Sequence, residues 1–392
     1  MQGTRLDVPL AEVLGLSPDG RHAFIEKLLT ALAREMQAGT MSLKRRVPLK
    51  REMRDLRTLL KTPVDAFLRL DERTWKRNVL MNGAPGKTHT YWSRHEMWKM
   101  ETPFGSLRDD VVSQKPTLVR QLDKLLDASD QSKATFRGGG KVNAESVLLT
   151  VYRYLEQQYN VRGAFPPFHA RFLADRYLPA EGDSIVVDPC AGWGGRLLGT
   201  LCVPRGGHVR YVGVDPNTNN RLAYRALTAR VVAWLAREIG APRSGDVFFQ
   251  PFEKWVHSRT AARLRGQVSL VLTSPPYFRQ ERYQPGSRQQ SSERYREYEK
   301  WREKFLKPLI HGAYDLLKPG GVFCLNIADV PGAPLEKDTR AIARSAAFVS
   351  REFFRLAMAR SVGTRTGKPR HSAQVDGEVY KYEPVFCFSK PS

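Results

Sequence analysis

From about residue 181 onward, short apolar runs alternate with helical stretches, and this alternation restricts the fold more than any other feature of the chain. The runs are Ile185–Val187, Val209–Val214, Val247–Phe249, Val268–Leu272 and Val322–Ile327, with helical patterns at 219–239 and 298–317 between them. Alternation of this kind predicts βαβ units, a parallel sheet covered by helices on both faces. Near the end, Phe353–Ser361 and Pro384–Ser389 are expected to pair as an antiparallel hairpin on the sheet edge, with the basic segment Arg365–His371 in the loop between them.

The first third reads as mostly helical. Phe24, Leu28, Leu32 and Met36 recur at four-residue spacing within 21–37, and Gly39 follows as a stop signal. Pro48 opens a second helix with an apolar stripe of Leu49, Met53, Leu56 and Leu60, beside a basic stripe of Lys50, Arg54, Arg57 and Lys61. Thr62 and Pro63 resemble the cap and first-turn proline of a third helix. Residues 82–105 read as irregular, and another helix is expected over 116–127 with Leu118, Leu122 and Leu125 inward. The glycine-rich stretch Phe136–Lys141 marks a joint, giving a mainly helical domain at 1–140 and an α/β domain at 141–392.

A formal net charge of +23 favours a polyanionic partner, nucleic acid ahead of membrane. No apolar stretch approaches the roughly 20 residues of a bilayer span, and no secretion signal opens the chain. The four cysteines lack CxxC spacing and the eight histidines show no ligand spacing, so no metal is expected. The expectation is a reduced, cytoplasmic protein.

Two constellations carry chemistry. The first, Asp188-Pro189-Cys190-Ala191-Gly192-Trp193-Gly194-Gly195, lies between a predicted strand and a helix, where glycines permit a tight turn and close ligand approach. Asp215, in Gly213-Val214-Asp215-Pro216-Asn217, ends the next strand, where an acid accepts hydrogen bonds from ribose hydroxyls. The loop is neither GxGxxG nor a P-loop. An acid at its start suits a ligand with a cationic amino-acid part, which Asp188 would hold directly or through water. The second constellation, Thr273-Ser274-Pro275-Pro276-Tyr277, follows the fourth strand, at the carboxyl edge where open α/β sheets bind ligands. The Ser274 hydroxyl and the Pro275 carbonyl offer two acceptors for an NH2 group, and Tyr277 a flat face for an unstacked base.

DPCAGWGG, GVDPN and TSPPY in this order resemble the DNA amino-methyltransferases that act on cytosine N4 or adenine N6. The resemblance covers about 160–390, in the γ-type motif order. It implies a class I, Rossmann-like methyltransferase fold using S-adenosylmethionine, with DNA as partner and a cognate restriction endonuclease as a candidate companion. It assigns Ser274, Pro275, Pro276 and Tyr277 to catalysis, and Phe168, Asp188, Pro189, Gly192, Gly194, Asp215, Gln250 and Thr273 to the cofactor. Phe168 enters through Phe165–Phe172, similar to the family element beside the methionine end. Gln250 falls where the family contacts adenine, although the usual acid is missing there and Asp246 comes earlier.

The implied chemistry is direct attack of the amine nitrogen on the sulfonium methyl. Pro189-Cys190 as a nucleophile for cytosine C5 is set aside, because Cys190 sits inside the cofactor turn. DNA phosphates are assigned to Lys50, Arg54, Arg57 and Lys61, and to Arg279, Arg282, Arg288 and Arg294 in a polar loop over 278–303 that could close on DNA. Serine at the first place of the tetrapeptide resembles the cytosine N4 members more often, so the reading leans that way with adenine N6 the alternative. RNA or a protein amide as substrate, and a catalytically inactive DNA-binding protein, are the remaining readings.

Overall fold

The computed structural model describes residues 6, 8–38, 49–81, 85–86, 101–102, 105–127, 147–159, 164–284, 286–360 and 371–392. The chain forms two compact units, one of residues 1–47, 94–163 and 281–285, the other of residues 48–93, 164–280 and 286–392.

The first unit is mainly helical, with helices Leu10–Leu14, Pro18–Ala38, Leu107–Val112, Pro116–Leu126 and Val147–Gln158 and one short antiparallel pair of strands, Glu101–Thr102 with Gly105–Ser106. Helix Pro18–Ala38 buries Ile25, Leu28, Leu29, Leu32 and Met36, while Phe24 lies only half-buried at the side of that stripe. Helix Pro116–Leu126 buries Leu118, Leu122, Leu125 and Leu126. Ser106 caps helix Leu107–Val112 by accepting from the Asp109 N–H. The expected joint at 136–141 lies outside the described residues.

The second unit is built on one large sheet. Its strands are β1 (Leu68–Asp71), β2 (Lys76–Leu80), β3 (Ser184–Asp188), β4 (Val209–Val214), β5 (Arg243–Phe248), β6 (Val268–Thr273), β7 (Leu317–Asn326), β8 (Val349–Arg360), β9 (Ser372–Val375) and β10 (Glu378–Ser389). Their order is β1-β2-β8-β10-β7-β6-β3-β4-β5, with β9 also paired to β10. Strands β3 to β7 are mutually parallel, and β10 runs antiparallel between β7 and β8. This is the mostly parallel, Rossmann-like α/β sheet that the sequence predicts, with one antiparallel strand inserted. Val187 and Val186 enter separate core clusters on opposite faces, as expected of a sheet covered on both sides.

Three features depart from the sequence expectations. Thr62-Pro63 opens no third helix: a 3-10 turn, Val64–Phe67, leads straight into the β1–β2 hairpin. β2 then pairs in parallel with β8, Val79 beside Arg355 and Leu80 beside Leu356. That pairing covers an edge that β8 would otherwise expose. Strands β8 and β10 do pair, but β10 enters between β7 and β8, so the hairpin is no simple addition at the rim. Of the basic loop expected at 365–371, residues 361–370 lie outside the described set.

Helix Leu49–Lys61, expected to sit with the N-terminal helices, packs in the sheet unit. Leu56, Leu59 and Leu60 join Phe168, Leu197, Tyr224 and Trp234 in one core cluster. The buried Arg171 guanidinium donates to the Leu59 and Thr62 carbonyls at the end of that helix, where a cation also meets the negative end of its dipole.

Helices Pro167–Tyr177 and Gly195–Leu201 sit unusually close. A Cβ at Gly199 would overlap the Pro167 carbonyl, the Ala170 methyl and the Arg171 amide. Gly199→Ala is therefore expected to destabilise the protein by about 1–3 kcal/mol, seen as a lower thermal midpoint; an unchanged midpoint would show that the two helices can separate freely.

Candidate functional site

Strands β3, β4, β6 and β7 end at one edge of the sheet, and their ends carry the candidate residues. Asp188 closes β3 with no solvent exposure. Its Oδ2 accepts from Arg196 Nε and Tyr211 Oη, both at 2.7 Å. Its Oδ1 accepts from Thr273 Oγ1 at 2.8 Å and from the Cys190 N–H at 3.2 Å. Four protein donors thus meet a carboxylate expected to reach a ligand, and they tie it to its own loop, to β4 and to β6. Thr273 Oγ1 also accepts from the Cys190 N–H at 3.1 Å, joining the glycine loop to the Ser-Pro-Pro-Tyr segment.

The loop itself is held open by its glycines. Gly192 (φ 62°) and Gly194 (φ 84°) are left-handed, a conformation that nearly all other residues resist. Tyr224 Oη donates toward the Ala191 and Gly192 carbonyls at 2.9 and 3.0 Å, and Arg196 reaches the Cys190 carbonyl. Pro189 is buried beneath the turn, whereas Gly192 is half-exposed at its crest.

Asp215 lies just past β4 with 8% exposure. One oxygen accepts from the Gly192 N–H at 2.7 Å and the other from the Asn217 N–H at 2.8 Å. Burial pushes its carboxyl up to about 6, against the pull of those two N–H groups. Nearby, Asn220 Oδ1 is buried with no hydrogen-bond partner, and its Nδ2 points toward the Gly192 carbonyl.

Ser274 and Tyr277 meet on Asn326, the last residue of β7. Ser274 Oγ and Tyr277 Oη each lie 3.1 Å from Asn326 Oδ1, and Tyr277 Oη lies 3.1 Å from Glu383 Oε2 on β10. Asn326 Nδ2 donates to the Pro384 carbonyl at 3.0 Å, which fixes the amide so that its oxygen faces the two hydroxyls. The Ser274 proton is directed to Asn326, leaving lone pairs on Oγ to accept from elsewhere. Pro275 is buried and Pro276 half-buried. Phe278, directly after Tyr277, holds a positive φ of 55° and packs its ring against Tyr298 and Trp301. Such a backbone is uncommon for a bulky residue.

Other expected residues fall elsewhere. Phe168 is fully buried, 4.6 Å ring to ring from Phe67, and serves the core rather than a ligand surface. Gln250 is half-buried just after β5. Lys50, Arg54, Arg57 and Lys61 are all exposed, but Arg57 is held by Glu238 at 3.0–3.2 Å. Arg54, Arg57 and Lys61 line an open surface hollow of about 350 Å³. Arg279 and Arg288 are exposed and Arg282 half-buried. Arg294, expected near phosphates, turns inward to Glu253 at 2.7 Å. The 278–303 segment is not one long loop: it contains short helices and buries Trp301, whose Nε1 donates to Ser291 Oγ at 3.0 Å. The Cys190 thiol is pushed well up by burial and by the carboxylates of Asp188 and Asp215, the opposite of what a nucleophilic thiolate needs.

The sequence reading missed Asn326, Arg196, Tyr211, Tyr224 and Glu383. Asn326 left a trace, a polar residue inside the apolar run Val322–Ile327. Arg196 directly follows the glycine loop, in the first turn of the next helix, whereas Tyr211, Tyr224 and Glu383 reach the site only across the fold. Among the described residues no cluster of His, Cys, Asp and Glu could hold a metal ion, and no helix is long and apolar enough to cross a membrane.

Residues 268–392, which include Thr273–Tyr277, match the DNA methylase family N6_N4_Mtase. No curated protein matches the chain significantly. Solved structures similar to it include the SAM-dependent methyltransferase of Agrobacterium tumefaciens, at 16% identity and a TM-score of 0.38, covering 59% of this chain and 64% of that one. Another is the geranyl diphosphate C-methyltransferase of Streptomyces coelicolor, at 15% and 0.34, covering 62% and 83%. A Thermus thermophilus protein provisionally described as a DNA modification methylase matches at 21% and 0.24, over 36% and 50%.

Replacing Asp188 by alanine strands the Arg196 guanidinium, only 5% exposed, without its partner. A loss of about 3–5 kcal/mol is expected, read as a lower urea midpoint at unchanged slope. A loss below about 1 kcal/mol would show that Arg196 finds other acceptors and that the carboxylate is no anchor.

Proposed function

We propose, for a chain whose residues 268–392 carry the DNA methylase family match, that it transfers a methyl group from S-adenosylmethionine to an exocyclic amino group of a DNA base. The observation that carries the reading is the Ser274–Asn326–Tyr277 cluster, joined through Thr273 and Asp188 to the loop that carries Gly192 and Asp215.

The loop fits the cofactor. Asp215 keeps lone pairs beyond the two N–H groups it accepts, a match for a ribose diol, and the unpartnered Asn220 Oδ1 lies beside it. Gly192 and Gly194 let a ligand approach the backbone, and Gln250 past β5 is assigned to the adenine side. When bound, S-adenosylmethionine supplies an electrophilic methyl on a sulfonium sulfur. Ser274 Oγ and the Pro275 carbonyl accept from the substrate NH2, turning the nitrogen lone pair toward the methyl. Those acceptors strengthen as the nitrogen becomes positive, so they favour the transition state over the ground state. Tyr277, its hydroxyl anchored to Asn326 and Glu383, presents its ring to a base drawn out of the duplex. Lys50, Arg54 and Lys61, with Arg279, Arg282 and Arg288, are assigned to phosphates. Ser274 at the first place favours cytosine N4 over adenine N6.

Incubating the protein with labelled S-adenosylmethionine and duplex DNA, then analysing nucleosides by mass spectrometry, is expected to give N4-methylcytosine. Ser274→Ala and Tyr277→Ala should each lower the rate by about 10²- to 10³-fold with cofactor affinity retained. No methylated nucleoside, with the cofactor still bound, would overturn the reading.

Cofactor affinity should also follow the Asp215 proton. Because its carboxyl is raised from 3.8 to about 6, ionisation is disfavoured in the folded protein, and this group's contribution to stability falls as pH rises through that window. Diol hydroxyls need the ionised form, so affinity should weaken about tenfold from neutrality to pH 5. An Asp215→Asn variant should bind weakly with a flat profile; the same pH dependence in that variant would remove Asp215 from the ribose site.

A further inference from the structure

The turn between β1 and β2 presents Trp75, 78% exposed and held at a positive φ of 55°. A bulky aromatic in that conformation is disfavoured twice, by its backbone and by its contact with water. The surrounding structure nevertheless over-determines it. Asp71, 1% exposed, accepts from the Arg73 N–H at 3.2 Å, from Thr74 Oγ1 at 3.0 Å and from the Gln374 N–H at 3.1 Å. The Trp75 N–H itself donates to the Asp71 carbonyl at 2.8 Å. Strand β9 and the turn after it clasp this turn from the other side: the Glu72 N–H donates to the Gln374 carbonyl, the Arg73 guanidinium to Ser372, and the Gly377 N–H to Glu72 Oε1. The turn is hydrogen-bonded on both sides, and its ring stands largely in solvent. Strain kept by such a frame clusters at binding and catalytic sites.

The chemistry around the ring is cationic. Lys76 and Arg77 follow it, both exposed and, among the described residues, in no ion pair. They line an open groove of about 390 Å³ together with Arg351, whose guanidinium lies 5.2 Å from the Tyr177 ring centre. Of the nearby acids, Glu352 is engaged with Arg176 and Tyr177, and Asp71 and Glu72 within the turn, while Asp376 at the β9–β10 turn stays exposed, so among the described residues the cations around the ring outnumber the one free carboxylate. A planar ring projecting from a basic tip complements a polyanion with stacked planar bases.

We infer that the β1–β2 turn is a nucleic-acid contact, in which Trp75 stacks on or wedges against a base of the DNA while Lys76 and Arg77 engage flanking phosphates. The inference rests on DNA being the substrate. It adds a surface separate from the Ser274–Tyr277 cluster and from the basic residues assigned by sequence.

The test measures duplex DNA binding by fluorescence anisotropy over a range of salt, with methyl transfer followed in parallel. Trp75→Gly suits the positive φ and removes the ring, so it should melt no lower than wild type yet bind DNA about tenfold more weakly. Trp75→Phe should retain most of the affinity. Lys76→Ala with Arg77→Ala should lower the salt slope by about 2. Cofactor affinity should not change in any of them. Wild-type affinity and slope in these variants, from a protein that methylates DNA, would overturn the inference and leave the functional reading standing. So would a wild-type dimer that Trp75→Gly dissolves without loss of DNA affinity. Wild-type protein that neither binds nor methylates DNA would instead sink the functional reading on which the inference rests.

Discussion

The candidate site depends on one buried carboxylate. Asp188 collects donors from the helix after its loop (Arg196), from β4 (Tyr211), from β6 (Thr273) and from its own turn (the Cys190 N–H). A carboxylate with no solvent access is costly to hold unless its lone pairs are matched and its charge is paired, and both conditions are met here. The consequence is geometric. The glycine loop and the Ser-Pro-Pro-Tyr segment, 85 residues apart by way of the Thr273–Asp188 bond, are fixed to a common point. The acid that opens the glycine loop is, in the fold, the tie that sets the distance between that loop and the Ser-Pro-Pro-Tyr segment.

A second constraint comes from the far side of the sheet. β10 enters antiparallel between β7 and β8 and brings Glu383 and the Pro384 carbonyl to the end of β7. Asn326 can then orient Ser274 and Tyr277 together, because its own amide group is already fixed by Pro384. The β1–β2 hairpin covers β8, and β9 reaches back to β1, enclosing Val79, Ala357, Ala373 and Val375 in a small core of their own. The edge that would be left open is thereby folded over, and the turn carrying Trp75 is held on both sides as a result.

The chain itself announced the parallel sheet, the positions of its strands within a few residues, the glycine loop, Asp215 and the Ser-Pro-Pro-Tyr segment. Each of these is a local signal: an unbroken apolar run, a glycine cluster after it, two consecutive prolines ending a strand. Strand β5 shows the limit. Its visible run is Val247–Phe249, yet the strand begins at Arg243, where the half-polar segment Arg-Ser-Gly-Asp is drawn in by pairing with β4 and by the Arg243 guanidinium reaching the carbonyls of Leu201, Val203 and Arg205. The β1–β2 hairpin was read as helical for the same reason: four- and five-residue strands become strands through their neighbours.

Sequence alone therefore determined the fold class and the order of its chemical motifs, because hydrophobic period and glycine or proline placement act over a few residues. Tertiary structure decided what each side chain is for. It buried Phe168 in the core, closed Asp188 within protein donors, paired Arg57 with Glu238 and Arg294 with Glu253, and made Asn326 the common acceptor of Ser274 and Tyr277. A residue's role depends on which polar groups are left unmatched after packing, and partners such as Asp188 and Thr273 or Arg57 and Glu238, 85 and 181 residues apart, meet only in the folded chain.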